Sequence, residues 1–149
     1  MRLPLADFVA GLVAAFALLG GIVPASAYPG AVPSDPVEGL WINPHHSVAV
    51  RNQYCGPAMC GRIVWASAQA QADARDSGVR NLVGLDLLEN YRPEKRGNWK
   101  GTVLVPDMGH RFSSEIALVS NNELKISGCI LHGLICRSQI WTRIGELPK

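Results

Sequence analysis

"EGLWINP", residues 38 to 44, opens the first strand-like run of this chain. Gly39, a spacer and Trp41 follow a Pro-rich run and precede Pro44. The glycine permits a sharp entry into a strand, and the tryptophan brings a large apolar body with one N–H to satisfy. Alone, the triplet says only that a tryptophan is buried near the start of a domain. Its weight comes from the rest of the chain, and above all from "WTR" (141–143) at the far end.

Downstream, turn signals punctuate the sequence, and strand-like runs lie between them. The runs are Val37–Ile42, Val48–Cys55, Cys60–Ala66, Leu82–Leu88, Gly101–Val105, Arg111–Val119, Leu124–Leu131 and Leu134–Ile144. "GPAM", "PDMG" and "HG" sit at hairpin positions. About eight short strands in one domain favour a sandwich or a closed barrel. Ser67–Arg80 is polar and Ala-rich, a long loop or a short helix. Glu89–Gly97 is charged and broken by Pro93, so it reads as an exposed connection. At "VSNNEL", a bulged loop that pairs Leu118 with Leu124 and Ile116 with Ile126 is preferred over a two-residue Asn121–Asn122 turn. It gathers Phe112, Ile116, Leu118, Leu124 and Ile126 on one face.

Upstream, Arg2, an apolar run from Phe8 to Val23 and "ASA" (25–27) have the order of a secretory signal peptide. Cleavage is expected before Tyr28; the alternative is an uncleaved N-terminal anchor, which Asp7 beside the run keeps open. Residues 28–36 ("YPGAVPSDP") form an extended Pro-rich lead, and residues 37–149 a single β-domain. No later segment is apolar for long enough to span a bilayer as a helix. The chain carries 14 basic and 12 acidic residues; without Arg2 and Asp7 these become 13 and 11, a net charge of +2. That balance, without a Lys/Arg cluster, argues against a nucleic-acid partner.

Four cysteines in an exported chain imply disulfides. If Cys55 faces Cys60 across "GPAM", Val50 faces Trp65 and Asn52 faces Ile63. The apolar residues Val48, Val50, Tyr54, Ile63 and Trp65 then share one face. With His132–Gly133 as a turn, Cys129 faces Cys136 and Leu124 faces Trp141. Cys55–Cys60 and Cys129–Cys136 are therefore the expected bridges. The rival, a zinc site of C-x4-C and C-x6-C, has loose spacing, and no redox-type C-x-x-C occurs.

Other candidates are weaker. His45 and His46, adjacent in an extended chain, point to opposite faces, which is poor for chelation. His110 and His132 sit at turns. Asp86 alternates with Leu85 and Leu87 and is expected to face solvent. No G-x-S-x-G, H-E-x-x-H or P-loop is present. Catalytic residues, metal and cofactor are all expected to be absent.

"GLW", "CGRIVW", "LVGL", "NWKGTVLVPDMGHRF", "LKISG" and "SQIWTRI" occur in that order from residue 39 to 144. Together they resemble an uncharacterised family of small exported bacterial proteins, domain of unknown function 2147. The chain departs from the family at "DARDSGVR" (73–80), where members have an Asn-Pro. The resemblance implies an all-β, antiparallel calycin-like (lipocalin-like) β-barrel of about eight strands. In that class the Gly-x-Trp opens the first strand, the Trp plugs one end, and an Arg of the last strand packs across its ring. Gly39, Trp41, Trp141 and Arg143 are the matching signature. A cation–π contact of this kind is worth about 0.5–2 kcal/mol.

The expected function is that of an exported, non-enzymatic small barrel, in the periplasm or outside the cell, that holds one small apolar or amphipathic molecule. Trp65, Ile63, Val50 and Ile126 are the expected lining. The alternative is a filled barrel acting as a cell-envelope protein–protein or inhibitor-like module. A cavity of several hundred Å³ separates the two.

Overall fold

The punctuated runs become eight antiparallel strands among the described residues of this computed structural model, which are 35–95, 97–130 and 133–149. The expected signal peptide at 1–27 and most of the expected lead lie outside them. The strands are β1 (Gly39–Ile42), β2 (Val48–Tyr54), β3 (Met59–Ala66), β4 (Asp86–Pro93), β5 (Asn98–Val105), β6 (His110–Ser120), β7 (Glu123–Ile130) and β8 (Ile135–Ile144). Each pairs with the next in chain order, and β1 pairs with β8, closing the barrel expected for a calycin-like domain. Closure removes the open sheet edges that would otherwise invite aggregation.

The closure point is the opening sequence itself. Trp41 pairs with Arg143 across β1–β8 and with Val50 across β1–β2. Gly39 has φ +124°, which L side chains rarely adopt. A Cβ there would also lie 2.6 Å from Nη1 of Arg143. The glycine is thus required twice, by its own backbone and by the arginine passing over it.

One helix, α1 (Ala68–Asp76), bridges β3 and β4. Ser67 caps its start, accepting from the Ala70 N–H at 3.1 Å. Gly78, at φ +87°, ends it: its N–H donates to Arg75 O and that of Val79 to Ala74 O, the paired bonds of a Schellman motif. Buried Ala74 and partly buried Ala70 and Val79 dock the helix on the core. The Ser67–Arg80 stretch is therefore a capped helix plus a short return.

Two registers behave as read from sequence. Leu118 pairs with Leu124 and Ile116 with Ile126, with the irregularity between Leu118 and Ser120. Leu124 pairs with Trp141 and Cys129 with Cys136. Of the turn beyond, His132 lies outside the described residues.

Two readings need correction. The β2–β3 hairpin is tighter than expected by two residues: Val50 pairs with Ile63, Asn52 with Gly61 and Tyr54 with Met59. Gly56 takes φ +89° before Pro57, and Cys55 N–H bonds Ala58 O, so the turn closes over four residues. Cys60 consequently opposes Gln53, and the Cys55–Cys60 bridge spans the turn obliquely. A bulge between Ala49 and Val50 then pairs Ala49 with Trp65, turning Trp65 to the face opposite Val50 and Ile63.

The fourth strand is also displaced. It was expected over Leu82–Leu88 but runs Asp86–Pro93, so the charged stretch read as a connection is half strand. Asn90, at φ 56°, sits in an irregularity between Glu89 and Arg92. Asparagine tolerates this left-handed conformation. The irregularity lets Leu88 and Tyr91, three apart, both be fully buried. Asp86 does face outward, paired with Arg62 at 2.8 Å.

Candidate functional site

The two ends of the barrel differ. The end carrying the β2–β3, β4–β5 and β6–β7 turns is filled. Trp41, Val37, Met59, Tyr91, Ile116 and Leu124 are all at 0 % exposure. Its floor is tied by carbonyl contacts. Val37 O accepts from Trp41 Nε1 at 2.9 Å and from Asn52 Nδ2 at 3.3 Å. Arg143 stacks on the Trp41 ring at 4.1 Å. Its Nη1 donates to Glu38 O at 2.7 Å, its Nε to Asn121 O at 2.6 Å, and its Nη2 to Pro36 O. The arginine therefore joins the lead, the first strand and the β6–β7 turn, which goes well beyond a ring contact.

The lead is further fixed by Tyr54, whose hydroxyl donates to Asp35 at 2.8 Å. That bond, with some desolvation, raises the Tyr54 pKa. Deeper in the wall, the buried Tyr91 hydroxyl donates to Ser114 Oγ at 2.7 Å. Burial pushes its pKa up to about 12, offset in part by the serine and reinforced by nearby Glu89. An unfolded tyrosine ionises near 10. Folding therefore favours the protonated form. The contribution is fully present below about pH 10 and is lost as pH rises to about 12, up to about 2–3 kcal/mol. Urea denaturation from about pH 9 to about pH 12 should show that loss, and Tyr91→Phe should flatten it.

The opposite end is open. A cavity of about 390 Å³ lies there, between the β5–β6 and β7–β8 hairpins. Val103, Val105, Met108 and Phe112 form one wall, Ile126, Ile130 and Ile135 another, and Leu87 of β4 a third. Trp141 is part of the lining, with Arg137, Ser138 and Gln139 adding polar groups from β8. A second recess, under α1, shares Leu87, Gln139 and Trp141 with the first. The helix thus flanks the mouth. Apolar side chains stand exposed at the mouth: Met108 is 53 % and Ile135 45 % exposed.

Of the residues expected to line a ligand site, Ile126 is in the main cavity and Ile63 in the recess under α1. Val50 is packed at 0 % exposure in the filled core. Trp65 belongs to neither cavity, because the bulge turns it away. The tryptophan of the site is Trp141, a residue of the structural signature that also lines the cavity. Met108 and Arg137 were missed; the β7–β8 register, which sets Arg137 opposite Gly128 on the inner face, was the signal that could have found Arg137.

Both expected disulfides are formed, Cys55–Cys60 and Cys129–Cys136. They point to an oxidising compartment. Among the described residues no three His, Cys, Asp or Glu side chains gather closely enough to hold a metal, and no helix is long and apolar enough to cross a membrane. A family model for uncharacterized proteins conserved in bacteria, DUF2147, matches residues 39–143. No curated protein and no solved structure matches the chain.

Proposed function

The chain belongs to DUF2147, a family of uncharacterized proteins conserved in bacteria, and we propose that it is an exported, non-enzymatic carrier that holds one small apolar or amphipathic molecule in the open end of its barrel. The observation that carries this reading is the cavity of about 390 Å³ with a largely apolar wall. That size falls within the range of small-molecule sites, about 300–1,000 Å³, and an eight-stranded barrel is about wide enough for one ligand. The contrast between the two ends supports it. One end is filled and tied by Arg143, as a fixed scaffold requires, and the other is left open with apolar side chains exposed at its mouth. Export, to the periplasm or the medium, rests on the signal-like first 27 residues and accords with the two bridges. The envelope-module alternative called for a filled barrel, and the open end counts against it.

An apolar fluorescent probe tests this reading. It should bind saturably, at one per chain, and quench Trp141, which lines the cavity. Trp141→Phe should keep the binding and lose most of the quenching. Absence of saturable binding would remove the carrier reading.

A further inference from the structure

The wall of the open cavity is apolar except for one short segment. Among the described residues Arg137 is the only charged residue in its lining. No carboxylate among them lies within ion-pair distance of it; the ion pairs present are Arg62–Asp86 and Arg111–Glu89. The register sets Arg137 opposite Gly128, which also lines the cavity and presents no side chain to it. Two residues on, the same face of β8 carries Gln139. Its Oε1 accepts from Trp141 Nε1 at 3.1 Å. That bond fixes which way the amide faces and leaves its NH₂ as the group still to be satisfied. The cavity thus offers one cation and one fixed amide donor, and no negative charge. Asp73 and Asp107 belong to the adjoining recess, where Asp73 accepts from Gln69.

We propose that Arg137 and Gln139 make this cavity selective for a single-chain amphiphile with an anionic head, such as a fatty carboxylate. The head accepts from the Arg137 guanidinium and the Gln139 amide, and the chain lies along Val103, Phe112, Ile126 and Trp141. This rests on the carrier reading and specifies its ligand. The physical argument is one of order. In a purely apolar cavity an alcohol outcompetes the carboxylate of the same chain, because stripping water from the charge costs more. Only a paired charge reverses that order.

Isothermal titration of the full mature protein with decanoate and with decanol tests the inference, with displacement of the fluorescent probe as a second readout. In the wild type, decanoate should bind at least about tenfold more tightly than decanol, as one charge-assisted contact provides. Arg137→Gln should bring the two level or invert them, and Arg137→Glu should abolish decanoate binding. A far-UV circular dichroism spectrum and a urea midpoint matching the wild type report that both variants are folded. Equal binding in the wild type, or a preference for decanol, would overturn the headgroup assignment while leaving the carrier reading intact. So would decanoate binding indifferent to Arg137. If probe, decanol and decanoate all fail to bind, the carrier reading falls and this inference falls with it.

Discussion

Trp41→Ala is expected to destabilise the protein by about 3–5 kcal/mol, the usual cost of removing a fully buried tryptophan from a core. Its ring is at 0 % exposure, its N–H is bonded to Val37 O, and Arg143 lies over one face. The truncation opens a void in the strand that joins β2 to β8 and closes the barrel. It also leaves Val37 O short of a partner. Urea denaturation measures the loss. Trp65→Ala is the control: that ring is half-buried, on the face opposite Val50 and Ile63, and its removal should cost less than half as much. Equal losses would mean that Trp41 has no special place in the closure.

Arg143→Ala is expected to cost about 2–3 kcal/mol, more than a surface cation–π contact of about 0.5–1 kcal/mol would suggest. The excess comes from its three carbonyl partners, on Pro36, Glu38 and Asn121. A hydrogen bond to a charged group contributes about 1.5–3 kcal/mol, and half-exposed carbonyls recover part of that from water. Arg143→Lys should rescue little, because three N–H donors on a single nitrogen cannot span carbonyls that the guanidinium reaches from three separate nitrogens. In a double-mutant cycle Trp41→Ala and Arg143→Ala should fall short of additivity by about 0.5–2 kcal/mol. Full additivity would show that the ring contact is energetically empty.

These two residues also show what the sequence makes legible. A Gly-x-Trp at one end and a Trp-x-Arg at the other implied a closed barrel, and β1 does pair with β8 through Trp41 and Arg143. The β6–β7 and β7–β8 registers were readable because their apolar residues alternate with few interruptions. Legibility failed at the bulges. The extra residue near Val64 reverses the facing of Trp65, and Asn90 puts Leu88 and Tyr91 on one side at a spacing of three. Period-two reasoning has no means of seeing either. Both cysteine pairs came out correctly, yet for Cys55–Cys60 the assumed register was two residues off. Sequence proximity, rather than direct opposition, had secured that pair. The binding cavity was the least legible part. Which end of a barrel stays open depends on how the hairpins splay and where α1 docks, and neither leaves a periodic trace.

Amide and methyl chemical-shift mapping during titration with decanoate tests the central claim, that the open end holds one amphiphile while the Trp41 end stays closed. Saturation at one molecule per chain is predicted. The largest shifts should fall on Leu87, Met108, Ile126, Ile135 and Arg137, with Trp41 and Val37 unmoved. Shifts scattered over the outer wall without saturation, or none at the cavity, would contradict it.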